Sequence, residues 1–149
     1  MGLICLFAFC SLVLALMGGQ AYRQIQAGVD DAFGSNVAAS YLGAKLVQNN
    51  TAGAVALRGE GDDQILTISM PIGDEVYETR IYLHDGQLKE TLVLAGEEHR
   101  PNEGMSIAQV RSCRFGIAAD GLFTAELVSP AGVRTRVAFA LLEGGVAQE

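Results

Sequence analysis

QILTISMPIGDEVYETRIYLHDGQLKETLVL, residues 64–94, reads as three β-runs broken by two turns. Pro71-Ile72-Gly73-Asp74 separates residues 64–70 from 75–84, and Asp85-Gly86 separates 75–84 from 87–94. An Asp-Gly pair between alternating runs is the strongest short hairpin signal, because both residues tolerate positive φ. In the middle run Tyr77, Ile81 and Leu83 fall on one face, and Val76, Glu78, Arg80 and Tyr82 on the other. Such alternation describes an antiparallel sheet with one face on a core and the other toward water.

Toward the C-terminus a second set repeats the grammar. Residues 110–117 (VRSCRFGI) precede a turn at Asp120-Gly121, residues 122–129 (LFTAELVS) follow, and Pro130-Ala131-Gly132 leads into 133–142 (VRTRVAFALL). Val133, Thr135, Val137, Phe139 and Leu141 alternate with Arg134 and Arg136, which describes a half-buried strand with a cationic outer face. Between the two sets, residues 95–104 (AGEEHRPNEG) form a polar loop, and residues 144–149 read as a frayed tail. Residues 54–143 thus make a β head domain.

Toward the N-terminus the material changes. Residues 3–17 (LICLFAFCSLVLALM) are apolar except for Ser11 and span ~22 Å as a helix. Continuing through Tyr22 brings the length to ~30 Å, the thickness of a hydrocarbon core. Tyr22 and Arg23 suit the membrane interface. Residues 1–22 are therefore expected to be a transmembrane segment. A cleaved secretory signal is the competing reading, since Gly19-Gln20-Ala21 offers small residues where a signal peptidase reads.

Residues 23–50 are expected to continue as an amphipathic helix. Tyr22, Ile25, Val29, Phe33, Val37, Tyr41 and Ala44 recur at steps of three or four, one helical stripe, and Gln48-Asn49-Asn50 with Gly53 mark its end. A sheet with one apolar face must cover it, and this stripe is the element at hand. The expected fold is α+β, a long N-terminal helix, half membrane-embedded and half amphipathic, packed on an antiparallel sheet of two meanders. Val29→Asp and Val37→Asp are then expected to unfold the head.

Of the 149 residues 10 are Lys or Arg and 17 Asp or Glu, a net charge of −7 that argues against nucleic acid as a partner. Cys113, in an alternating strand, reads as a small buried hydrophobe, and His84 as a solvated strand end. His99 with Glu97, Glu98 and Glu103 could be a weak divalent-cation loop, but no ligand spacing is satisfied and a solvated acidic loop is the better reading. Glu60, Asp62 and Asp63 read the same way, lacking the spacing of a calcium loop. Asn49-Asn50-Thr51 is a formal glycosylation sequon. No paired acid and base, phosphate loop or metal motif stands out, so neither enzymatic activity nor a cofactor is expected.

An apolar N-terminal helix turning amphipathic, followed by "strand, Asp-Gly turn, strand, Pro/Gly turn, strand", resembles the type IV pilin and minor pseudopilin superfamily, and short pilin-like families of Gram-positive bacteria. Gly2 stands where precursors carry the glycine before the processed bond, and Phe7 where members carry a glutamate. The resemblance implies a single-pass membrane protein with an extracytoplasmic head, a structural subunit of a pilus, competence or secretion apparatus. Its partners would be the lipid bilayer and other pilin-like subunits, met through a stripe of small residues at Ala8, Ser11, Ala15, Gly18 and Gly19. The alternative is a secreted or membrane-tethered β-rich binding module that does not polymerise.

Overall fold

The alternating runs become strands in the computed structural model, which describes residues 34–142. The first sheet holds β1 (Val55–Arg58), β2 (Ile65–Ile72), β3 (Glu75–His84), β4 (Gln87–Leu94) and β5 (Met105–Gln109), each antiparallel to its sequence neighbours. The second holds β6 (Ser112–Ile117), β7 (Leu122–Val128) and β8 (Arg134–Ala140), again in chain order. Asp85 at φ 50° and Gly86 at φ 70° make the tight β3–β4 connection, whose positive φ at both positions matches the right-handed strand twist. The chain changes sheets at Val110 and Arg111, whose backbone N–H groups donate to Gly86 in the first sheet (3.0 Å) and to Val128 in the second (2.7 Å).

Among the described residues one α-helix, α1, runs over 34–48. Asn49 closes it, its side chain and backbone N–H both donating to the Lys45 carbonyl, at 2.9 and 3.1 Å. Its buried face is Ser35, Ala38, Ala39, Leu42 and Leu46. These meet Leu66, Ile68, Ile81 and Leu88 of the first sheet and Phe115, Phe123, Ala125 and Leu127 of the second in one continuous core. The small side chains of this face let the backbone come close. At Gly43 a Cβ would stand 2.6 Å from the Phe139 ring, so the helix-weakening effect of glycine, about 1 kcal/mol, accompanies a contact that no other residue allows.

α1 and β8 are pinned side by side at both ends. Thr135 Oγ1 donates to Ser35 Oγ at 3.1 Å. At the other end the Asn50 amide donates to the Ala140 carbonyl at 3.2 Å and accepts from the Leu142 N–H at 2.9 Å. The lengths agree: a helix from 35 to 50 rises ~22 Å and a strand from 135 to 141 ~20 Å. A further side chain joins the two sheets. Gln64 donates to the Phe115 carbonyl at 3.0 Å and accepts the Phe115 N–H at 2.8 Å, a strand-like pairing with the edge of β6.

Several expectations are corrected. The α+β fold built on a long N-terminal helix is overturned: the described chain is mostly β, eight strands in two antiparallel sheets, with a single short helix over 34–48. Among the described residues no helix is long and apolar enough to cross a membrane. The packing stripe is also out of phase. Val37 and Ala44 are exposed and Tyr41 is half-buried, while Ala38, Leu42 and Leu46 enter the core. Val37→Asp therefore places a charge in water and is not expected to unfold the head. Both faces of this helix carry apolar side chains, and the face beside Gly43, where the Phe139 ring comes close, is the one the core encloses. Tyr22, Ile25, Val29 and Phe33, the small-residue stripe Ala8, Ser11, Ala15, Gly18 and Gly19, the 1–22 segment and the 144–149 tail lie outside the described residues.

Candidate functional site

β3 is the central strand of the first sheet, and both of its faces are covered. Ile81 points into the core, while Glu78, Arg80 and Tyr82, expected in water, are 2–4% exposed on the opposite face. The cover is the polar loop 95–104, which folds back over the sheet. Arg80 Nη1 donates to the Glu97 carbonyl at 2.8 Å and Tyr82 Oη to the Pro101 carbonyl at 3.1 Å. Gly104 passes so close to the Tyr82 hydroxyl that no side chain fits there. His84 Nε2, at the strand end, shares a 2.8 Å hydrogen bond with Asn102 Oδ1.

Beneath this cover lies an ion pair. Arg80 Nε and Nη2 both donate to Glu78 Oε2, at 2.9 and 2.7 Å, and Arg58 Nη2 approaches Oε1 at 3.5 Å. Residues i and i+2 of a strand share a face, so the Glu-Thr-Arg sequence sets the pair side by side. Burying two charges is tolerable only where their hydrogen bonds are made. The Glu97 carbonyl completes the set around Arg80.

His99 stacks edge-on against Tyr82, ring centroids 4.4 Å apart and planes at 88°. Its Nδ1 is buried without a hydrogen-bond partner. Burial, and then the positive charges of Arg80 and His84, hold its pKa below the ordinary histidine value. The folded state thus prefers the neutral ring, and the unfolded chain takes up more protons as pH falls through about 6.5. The resulting stability is full above that pH and is lost as pH drops toward the depressed folded value. Amide hydrogen exchange in loop 95–104, corrected for intrinsic rates, should accelerate between pH 7 and pH 5.5. His99→Phe, which keeps the edge-on ring and cannot titrate, should abolish the acceleration.

A cleft of ≈200 Å³ opens beside the pair, lined by Arg80, Thr91, Val93, Glu97, Glu98, Arg100 and Glu103. Its walls are charged, and Arg100 is already engaged by Glu103 at 3.3 Å. Among the described residues no three His, Cys, Asp or Glu side chains converge to hold a metal. Cys113 is buried in the core at 2% exposure. The geometry fastens a loop to a sheet.

A second polar cluster ties α1 to the first sheet. Tyr41 Oη donates to Glu90 Oε2, and Lys45 Nζ to Glu90 Oε1 at 2.9 Å. Burial and the Glu90 hydrogen bond push the Tyr41 hydroxyl up. Burial opposes the charge on Lys45, but the hydrogen bonds and charges of Glu90 and Tyr41 together outweigh it and raise its pKa. Tyr41, expected on the apolar packing stripe, is half-buried and reaches the sheet through its hydroxyl instead. Sequence reasoning missed Glu90, which alternation placed among ordinary polar strand positions.

No curated protein and no solved structure matches the chain. The family model described as "Domain of unknown function (DUF4860)" matches residues 33–129, from the start of α1 through β7. The chain belongs to that family.

Proposed function

We propose that the protein is a membrane-anchored, pilin-like structural subunit whose β head is held outside the membrane by the apolar segment 3–17. The observation that carries this reading is the seating of α1: the first described element is sunk into the core shared by both sheets. α1 is thereby coupled to the whole head through both sheets. The strand order, two meanders in sequence with helix first, is compatible with a subunit that presents surfaces instead of enclosing a substrate.

Two measurements on the full chain test it. Expressed in bacterial membranes, the protein should stay with the lipid through an alkaline wash. Thiol oxidation should then trap covalent dimers through Cys5 and Cys10 in the apolar segment, because subunits that assemble side by side bring these helices together. Cys5→Ser/Cys10→Ser should remove the dimers. Lipid retention without trapping would replace this reading with a tethered, non-polymerising β module, and release by the wash would defeat both.

A further inference from the structure

The two sheets carry opposite charge. Residues 54–109 hold eleven acidic side chains against Arg58, Arg80, Lys89 and Arg100. In residues 110–142 the balance reverses, with Arg111, Arg114, Arg134 and Arg136 against Asp120 and Glu126. Arg114, Arg134 and Arg136 are gathered on one surface. Phe123, Ala125 and Leu127 of β7 face the core, so Glu126 faces out. Arg114 of β6 and Arg136 of β8 are its direct cross-strand neighbours.

Glu126 is saturated. It takes a 2.7 Å bond from Arg136 and lies 3.6 Å from Arg134. The Arg136 hydrogen bond first, and the charges of Arg136, Arg134 and Arg114, hold its carboxyl below the usual range despite some desolvation. One carboxylate thus serves three guanidinium groups, and both arginines of β8 keep about three quarters of their side-chain surface in water. Two shallow depressions flank it, one of ≈170 Å³ between Arg114 and Arg134 and one of ≈310 Å³ between Arg114 and Arg136.

We propose that this arginine face of the second sheet docks the acidic first sheet of another copy of the same chain, the Glu97 and Glu98 carboxylates entering beside Arg114. The inference rests on the subunit reading and specifies how heads meet. The occupant follows from the charge distribution. Copies of a −7 chain repel in most orientations, and only the arrangement that sets one copy's second sheet against another's first brings unlike charge together. A polyanion of uniform charge would be repelled by the acidic sheet of the molecule it approached. The two surfaces differ, so the contact is heterologous, and it extends into a fibre where its rotation does not close a ring. Each exposed pair is worth little alone, so the contact is weak, salt-sensitive and dependent on the lateral array that the apolar segments supply.

The test uses full-length chain in membranes, half of it isotope-labelled. Arg114→Lys/Arg136→Lys keeps the charge and adds amines that a carbodiimide can join to a touching carboxylate. Mass spectrometry should find mixed-isotope bonds from positions 114 and 136 to Glu97, Glu98 or another acid of residues 54–109. Their yield should fall about tenfold between low salt and ~0.5 M NaCl, where the screening length is only a few Å. Bonds confined to acids of the same copy, Glu126 above all, or none, would overturn the docking. Trapping through Cys5 and Cys10 is read on the same membranes. Trapping without head bonds removes this docking and leaves the subunit reading; head bonds without trapping do the reverse.

Discussion

Leu42→Asp should leave the head unfolded at room temperature, whereas Val37→Asp should melt within about two degrees of the parent. The two positions lie on one short helix and differ in environment. Leu42 is fully buried among side chains of both sheets, and Val37 is 36% exposed. Truncation of a buried leucine alone costs about 2–5 kcal/mol. A carboxylate in its place is desolvated with no partner, and the sum approaches the whole stability of a domain, about 5–15 kcal/mol. Circular dichroism of the full chain in detergent reads both variants. If Val37→Asp unfolds the head and Leu42→Asp does not, α1 is seated on its other face.

The second large effect concerns the ion pair beneath the loop. Arg80→Ala should cost about 3–5 kcal/mol, because it leaves Glu78 buried with only the more distant, half-exposed Arg58 nearby. Loop 95–104 should loosen with it, since the Glu97 carbonyl loses its donor. Glu78→Leu/Arg80→Met should cost less than Arg80→Ala alone, since apolar replacement of both partners removes the stranded charge. Denaturant midpoints of the three proteins decide. Equal losses in the single and double variants would mean that packing, not the unpaired carboxylate, carries the penalty.

Much of the strand layout is legible because period-2 alternation and Asp-Gly turns act locally. The runs beginning at Gln64, Glu75, Gln87, Leu122 and Val133 each fall on a strand, and Asp85-Gly86 and Asp120-Gly121 fall between strands. β1 and β5 escape notice for a physical reason. They are short edge strands, four and five residues long, held by pairing on one side and not by an apolar rhythm of their own. The helix phase escapes because Val37, Tyr41 and Ala44 make as regular a stripe as Ala38, Leu42 and Leu46. Only the closeness of Phe139 to Gly43, a tertiary fact, decides between them.

The candidate site was less legible still. Glu78 and Arg80 look like the wet side of a strand until the 95–104 loop is seen to fold over them. The Glu-x-Arg spacing signals that the charges can pair, but burial is decided by a segment whose composition suggests only solvent. Cys113 and the arginines of β8 lie where alternation puts them, because a strand's faces are fixed by chemistry two residues away.

The alignment of α1 with β8 sets how the head answers to pull. Both run in the same direction and are fastened at both ends, Ser35 to Thr135 and Asn50 to Ala140 and Leu142. Tension applied at the start of α1, along its axis, slides the helix past the strand and loads every lateral contact together. Tension applied across the axis would peel those contacts one at a time and fail at lower force. A head tugged from its helix end is therefore strongest along the helix axis and weakest across it.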